Sequence, residues 1–222
     1  YIFMIFNKQK LVFSFKLIFF YFILGALGLA IPFSLISSAE VHINAGLAGV
    51  LMSPMPLLTL GLSVIILKNE NINTMKLLSF VIAFCGLLIL FGLDTISELG
   101  GNSRMEFFSQ LAVLLAAACY GLNAVLTKLI PKINFISLAT AVTISSVILI
   151  SPFAIFLEPF WLDNFTKQAI IAVSIQGIFA TAVANLLFFK IIELSGPVFL
   201  SLINFLIPLI AYFSGAIFLG EA

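Results

Sequence analysis

The residues best suited to bind a solute in this chain are uncharged polar side chains that recur at helical spacing. One set falls at intervals of three or four residues near the end of the chain, which places its members along one side of a helix. This stripe consists of Ser201, Asn204, Pro208, Tyr212 and Gly215. Amides, hydroxyls and phenols bind uncharged or zwitterionic solutes through hydrogen bonds. The spacing therefore predicts a polar face on an otherwise apolar helix.

Three further stripes have the same character. They are Gly49, Met52, Pro56, Thr59 and Ser63; Ala116, Tyr120, Asn123 and Thr127; and Ser174, Thr181 and Asn185. Small residues and hydroxyls in such stripes also pack membrane helices together, and this alternative stays open. Bulky amides and phenols are more useful in a wet cavity. The predicted cavity residues are Asn204, Tyr212, Ser201, Pro208, Pro56, Thr59, Ser63, Tyr120, Asn123, Thr181 and Asn185.

Ionisable and metal-binding residues are placed unfavourably for chemistry. No Asp, Glu, Lys, Arg or His lies near the centre of an apolar run, which argues against a proton relay through buried carboxylates. Cys85 and Cys119 lie inside apolar runs, and His42 has only Glu40 beside it, whereas metal sites need several ligands. We therefore predict no catalytic residue, no metal site and no cofactor.

The elements that position these stripes are predicted to be membrane-spanning helices. With 63% hydrophobic and 9% charged residues, the chain has too little polar surface to coat a soluble domain. Its long apolar runs are typical of helices, which satisfy every backbone group within lipid. A net charge of +1 without a basic block argues against a nucleic-acid partner. The predicted fold is an all-α membrane protein, a polytopic helical bundle.

Seven apolar runs are long enough to cross a hydrocarbon layer of about 30 Å, which needs roughly 17 to 25 residues. They are Leu17 to Ser37, Gly46 to Leu67, Leu77 to Leu93, Phe107 to Leu126, Ile136 to Leu157, Ile170 to Ile192 and Val198 to Leu219. Of the ten basic residues, alternate loops hold all but Arg104 and Lys167. Because basic residues are retained in the cytoplasm, the first complete span is predicted to start there.

An internal duplication is predicted from two similar stretches, Met55 to Glu70 and Ile207 to Glu221. When Pro56 is aligned with Pro208, the register extends back to place Gly25 and Gly28 on Gly177 and Ala180. The two prolines each allow a bend in a helix. The predicted orientation makes the two copies antiparallel, as in secondary transporters built from inverted repeats, and an odd number of helices in each half, such as five, would produce this.

Residues 34–90 and 186–222 resemble the EamA type of the drug/metabolite transporter superfamily. The similarity includes a short hinge (SSAE and ELSG), a helix with an early proline and a Gly-Glu ending. Gly220-Glu221 keeps this ending in one copy, whereas Lys68-Asn69-Glu70 replaces it in the other. The resemblance implies two inverted five-helix repeats. The first repeat would cover residues 1–93 and the second residues 107–222. Residues 94–106 would form an external loop between them. Because the chain begins and stops within apolar strings, we interpret it as a fragment.

The resemblance implies a permease of a bacterial inner membrane, surrounded by lipid. It would move a small polar metabolite, such as an amino acid, or a drug-like compound, by alternating access, and it could form a homodimer. Two alternatives are a membrane-embedded enzyme, which needs a nucleophile, metal cluster or acid/base pair, and a scaffold or receptor with seven spans. Further helices encoded beside this segment would favour the transporter over the scaffold.

Overall fold

The computed structural model describes residues 2–67, 74–101, 103–156 and 165–214, and the regular secondary structure in these ranges is helical. The helices are α1 (Ile2–Phe6), α2 (Phe15–Gly25), α3 (Ile31–Ala39), α4 (Ala45–Met52), α5 (Met55–Leu67), α6 (Thr74–Ser97), α7 (Arg104–Thr127), α8 (Phe135–Phe156), α9 (Lys167–Ile175), α10 (Ala184–Ser201) and α11 (Ile203–Ser214). Two π-helical segments, π1 (Ala26–Ala30) and π2 (Gln176–Val183), join α2 to α3 and α9 to α10.

Within the described ranges, five helical segments are long and apolar enough to cross a membrane. They are Phe15–Ala39, Gly46–Leu67, Arg104–Thr127, Phe135–Phe156 and Lys167–Ser201. A shorter apolar stretch, Leu77–Gly86, lies within α6. The prediction of an all-α polytopic membrane protein is confirmed.

The sixth and seventh predicted spans belong to one segment of 35 residues, Lys167–Ser201, and its continuation α11. This segment breaks at Gly196, whose φ of 85° and ψ of 172° lie outside the helical region and favour glycine. Pro197 follows, so the break falls within the gap predicted between the two spans. Leu157, the last residue of the fifth predicted span, and residues 215–222, which include Glu221 and end the seventh, lie outside the described residues.

The second predicted span is broken in its middle. Helix α4 ends at Met52 and α5 begins at Met55. Prolines 54 and 56 lack the N–H that would continue the helical hydrogen bonds, and the hydroxyl of buried Ser53 donates to the carbonyl of Val50. The sequence predicts a bend at Pro56, whereas the break comes just before it, at Ser53 and Pro54. Glu70, predicted to close this repeat unit, lies outside the described residues.

Local irregularities recur in the register of the predicted duplication. In the register that pairs Pro56 with Pro208, π1 coincides with the middle of π2. The same register pairs Asn44, which caps the start of α4, with Gly196, where α10 breaks. This agreement supports a duplication, and the antiparallel orientation of the two copies stays a prediction.

The chain packs as two compact units. The first comprises Tyr1–Ala30 and Leu126–Gly196, and the second comprises Ile31–Val125 and Pro197–Ala222. Each unit thus contains residues from both predicted repeats, so the repeat division at residues 94–106 stays a prediction. The non-helical connection there is shorter than predicted, because α6 continues to Ser97 and α7 begins at Arg104.

In the first unit, α2 packs along α8, and the first half of α10 joins the same core. Leu24, Val142 and Phe189 are almost fully buried in the core that these helices share. At Gly25 the backbones approach so closely that an added Cβ would lie 2.9 Å from the Ser146 nitrogen. This close packing immediately precedes π1, where the α-helical hydrogen-bond pattern changes.

The second unit has two apolar clusters. Ala39, Leu47 and Val113 join the segments around α3, α4 and α7. Leu60, Phe80 and Phe205 join α5, α6 and α11, and the ring centroids of Phe80 and Phe205 lie 6.1 Å apart. These contacts position the helices that carry most of the predicted cavity residues.

Candidate functional site

The polar face of α5 lies inside the second unit. Pro56, Thr59 and Ser63 are all buried, and the side chains of Thr59 and Ser63 have no exposed surface. The Thr59 hydroxyl donates a 2.8 Å hydrogen bond to the carbonyl of Met55. The Ser63 hydroxyl has no hydrogen-bond partner among the described residues. Because an unpaired buried polar group costs about 1–3 kcal/mol, Ser63 is well suited to bind a polar ligand.

Helix α7 contacts this face at Gly121. A Cβ added to Gly121 would lie 3.0 Å from the Thr59 hydroxyl oxygen, so any larger residue would require the Thr59 side chain to shift. Asn123, which is 3% exposed, and the partly buried Tyr120 lie within one turn of this contact. The structure therefore brings the predicted stripes of the second and fourth spans next to each other.

The third group of predicted residues lies at the junction of α10 and α11. Ser201 is fully buried, and its hydroxyl donates a 2.7 Å hydrogen bond to the carbonyl of Val198. The Asn204 amide nitrogen donates to the Ser201 carbonyl at 3.1 Å. Both side chains thus donate to backbone carbonyls in the last turn of α10. Pro208 and Tyr212 lie on α11, and their side chains are outside what the structure describes.

Two predicted residues belong to the first unit. The Asn185 amide nitrogen donates a 2.8 Å hydrogen bond to the hydroxyl oxygen of Thr143 on α8. Thr181 is partly buried within π2. The prediction of one cavity thus involves residues of both units, and it stays a prediction.

Sequence reasoning missed Ser53, Gly121 and Thr143. The Ser-Pro-Met-Pro string at residues 53–56 is a signal for the helix break, because two prolines so close together remove two backbone donors. Gly121 and Thr143 have no comparable signal, since their roles depend on which residue lies opposite in a neighbouring helix.

The site is electrically neutral. No residue of the apolar segments 46–67, 107–127 and 198–214 carries a charged side chain. In the part of the chain that the structure describes, no three His, Cys, Asp or Glu side chains are grouped so as to hold a metal ion. The arrangement can exchange hydrogen bonds with a ligand through hydroxyl and amide groups.

Long apolar helices, with buried neutral polar groups beside a broken helix, define the chain as a polytopic helical membrane protein. The model of the EamA-like transporter family matches residues 1–92 and 107–222. The chain belongs to this family, and the predicted resemblance is confirmed. The description of this family is that of a transporter, and the five apolar helical segments of this chain are long enough to cross a membrane.

Protein PagO of Salmonella typhimurium strain LT2 is 27% identical to this chain over 210 residues. The aligned region covers 94% of this chain and 65% of PagO. The chain therefore spans 65% of the length of this curated relative. No solved structure matches the chain.

Proposed function

We propose that this protein transports a small uncharged or zwitterionic metabolite, such as a neutral amino acid, across the cytoplasmic membrane of a bacterium. Transport proceeds by alternating access between two inverted repeats of five helices. Within the second unit the solute binds at Ser63, Thr59 and Asn123, three of the predicted cavity residues. Lipid surrounds the protein, and the first complete span starts on the cytoplasmic side.

The observation that carries this proposal is the buried Ser63 hydroxyl, which has no partner among the described residues. Without a solute, the buried hydroxyl lacks a hydrogen bond, which raises the free energy of the empty protein. A polar solute that bonds to the hydroxyl removes this cost, and binding is favoured by that amount. Thr59 lies one helical turn away and Asn123 is buried on α7, the helix that meets Thr59 through Gly121. The neutral site favours a neutral or zwitterionic solute over an ion, because an unpaired buried charge is costly.

The broken helix supports the alternating-access step. Discontinuous membrane helices in secondary transporters expose backbone groups beside the solute. The break at Ser53 and Pro54 lies one to two turns before Thr59, and a second break occurs at Gly196. Such breaks are places where a helix can change its direction without disturbing its two halves.

Uptake into proteoliposomes tests the solute class. Radiolabelled glycine, L-alanine, L-serine, L-threonine and L-glutamine are compared with L-lysine and L-glutamate at equal concentration. We expect saturable uptake of at least one neutral amino acid above protein-free liposomes, and weaker uptake of the charged pair. Equal uptake of charged and neutral amino acids, or none of the neutral ones, would contradict the proposed solute class.

Replacement of Asn123 or Asn204 by leucine removes a cavity amide, and we expect lower uptake of the transported solute in both variants. Unchanged uptake in both variants would contradict the proposed solute site. Orientation is tested separately with single cysteines at positions 8 and 104 after replacement of Cys85 and Cys119. A membrane-impermeant maleimide applied to intact spheroplasts should label position 104 and not position 8.

A further inference from the structure

A pocket lies in the first unit. Its volume is about 660 Å³, and it is bounded by the connection between α7 and α8 and by the last turns before Gly196. We call it the lysine pocket, because Lys128 and Lys132 form part of its wall. None of the predicted cavity residues lines it.

The charge of the lysine pocket is positive. Glu193 is the one carboxylate among the lining residues, and it pairs with Lys190 at 3.0 Å. The Lys190 ammonium group also lies 4.7 Å from the centroid of the Phe135 ring. With Glu193 compensated in this way, Lys128 and Lys132 give the pocket a net positive charge.

Lys128 is also held in place. Its ammonium nitrogen lies 3.4 Å from the carbonyl oxygen of Ile192, near the end of the helical run that stops at Gly196. One hydrogen bond uses one of the three ammonium donors, so donors remain for an anion. Lys132 is exposed on the connection and can move toward the same anion.

The floor of the pocket is apolar. Leu138 and Phe189 line it and are almost fully buried, while Ile130, Ile133 and Phe135 line it and keep part of their surface exposed. The pocket thus combines a cationic rim with a hydrocarbon surface below it. Free phosphate would use only the rim, whereas an amphiphile with a phosphate group and an acyl chain would use both.

The pocket also lies at the connection between two candidate membrane segments. The candidate membrane segment Arg104–Thr127 ends beside the pocket, and the segment Phe135–Phe156 begins beside it. Basic pockets between membrane helices bind anionic lipid headgroups. We propose that the lysine pocket is a binding site for an anionic phospholipid, with the phosphate group at Lys128 and Lys132 and an acyl chain against the partly exposed side chains of Ile130, Ile133 and Phe135.

Native mass spectrometry of the detergent-purified protein tests this proposal without any transport measurement. Phosphatidylglycerol and phosphatidylcholine with identical acyl chains are titrated in parallel, and inorganic phosphate is added as a competitor. We expect tight binding of one phosphatidylglycerol, weaker binding of phosphatidylcholine and little competition by phosphate. Each lysine contributes about fivefold to the affinity, since a lysine near an anionic headgroup supplies about 1 kcal/mol.

The variant Lys132→Gln should therefore lower phosphatidylglycerol affinity about fivefold and the double variant Lys128→Gln/Lys132→Gln about 25-fold. Lys167→Gln is the matched control, because Lys167 is an exposed lysine at the start of α9 in the same unit and is not among the lining residues. It should bind like the wild type. Equal binding of the two lipids, displacement of lipid by millimolar phosphate, or an equal loss in Lys167→Gln would overturn the proposal.

Discussion

The side-chain amide of Asn185 donates a 2.8 Å hydrogen bond to the hydroxyl oxygen of Thr143, and this bond joins α10 to α8. The Thr143 hydroxyl in turn donates to the carbonyl of Ala139 at 2.8 Å. Its proton is therefore used within α8, and its oxygen accepts from Asn185. Asn185 must therefore be the donor of the bond between the two helices. Asn185, which the sequence predicts to line a cavity, thus also stabilises the packing of α10 against α8.

We expect Asn185→Ala and Thr143→Val each to destabilise the fold, with a coupling energy of about 0.6–2 kcal/mol between them, which is the range for polar pairs between membrane helices. A double-mutant cycle measures this coupling as the difference between the double variant and the sum of the single variants. The free energy of unfolding is measured in mixed micelles titrated with a denaturing detergent.

The matched control is Thr140→Val. Thr140 lies on the same helix, and its hydroxyl donates to the carbonyl of Ile136 at 2.8 Å. Paired with Asn185→Ala, it should show no coupling. A Thr143 coupling as small as that of Thr140 would mean that the hydrogen bond between the helices adds nothing to stability.

Asn185 also shows what the sequence could and could not predict. Its position on a helical stripe follows from spacing alone, because residues three or four apart share one side of a helix. Its partner Thr143 lies on the fifth predicted span, outside the predicted stripes. Which residues of two helices meet depends on the rotation of each helix about its axis and on the crossing angle between them. The sequence of one helix does not determine either quantity.

The membrane segments themselves were predictable, since apolar length alone determines them. The break in the second span was predicted at Pro56 and lies at Ser53 and Pro54, because the serine hydroxyl and both prolines act together. The packing units were not predictable. The predicted repeats follow the order of the chain, whereas each compact unit combines segments from both.

Glycine substitutions should differ in cost according to what lies opposite. An alanine Cβ at position 25 would meet the Ser146 nitrogen at 2.9 Å and the Val142 carbonyl at 3.0 Å, which are backbone atoms that cannot move without shifting α8. At position 121 the nearest atom belongs to the Thr59 side chain. We therefore expect Gly25→Ala to cost about 1–3 kcal/mol, as overpacking does, and Gly121→Ala to cost less.

Gly61→Ala is the control for this series, because a Cβ there has no described atom within 4 Å and alanine favours the helix over glycine. It should be neutral or stabilising in the same unfolding titration. Thr59→Ala should restore part of the stability lost in Gly121→Ala. If Gly25→Ala proved as harmless as Gly61→Ala, the close approach of α2 to α8 would be wrong.

Asn44 connects the start of α4 to the connection after α6. Its side-chain oxygen accepts a hydrogen bond from the Leu47 N–H at 2.7 Å and caps α4. Its side-chain nitrogen donates to the Glu98 carboxylate at 2.7 Å. Asn44→Ser keeps a helix cap and loses the bond to Glu98, whereas Asn44→Ala loses both. Because an N-cap contributes about 1 kcal/mol, we expect Asn44→Ala to be the more destabilising, as measured by thermal unfolding in detergent.

The bond to Glu98 is isolated by two variants of the carboxylate. Glu98→Gln keeps an acceptor oxygen and should resemble the wild type, while Glu98→Ala should resemble Asn44→Ser. Hydrogen exchange provides the second readout, since loss of the cap should expose the Leu47 amide in Asn44→Ala and leave it protected in Asn44→Ser. Equal exchange in these two variants would contradict the capping role.

Ser63 allows stability and solute binding to be separated. Its buried hydroxyl is unpaired among the described residues, so Ser63→Ala removes an unsatisfied polar group and should leave the free energy of unfolding unchanged or raise it by up to about 1–3 kcal/mol. If the solute bonds to this hydroxyl, the same change should lower the affinity for the transported amino acid about three- to tenfold, the equivalent of one hydrogen bond. The measurements are unfolding titration and concentration-dependent uptake into proteoliposomes.

Ser79→Ala is the matched control, because the exposed Ser79 hydroxyl already donates to the Met75 carbonyl at 2.8 Å, and it should leave uptake unchanged. A loss of stability in Ser63→Ala would show that the hydroxyl has a structural partner, and normal uptake in a stable Ser63→Ala variant would exclude this residue from the solute site.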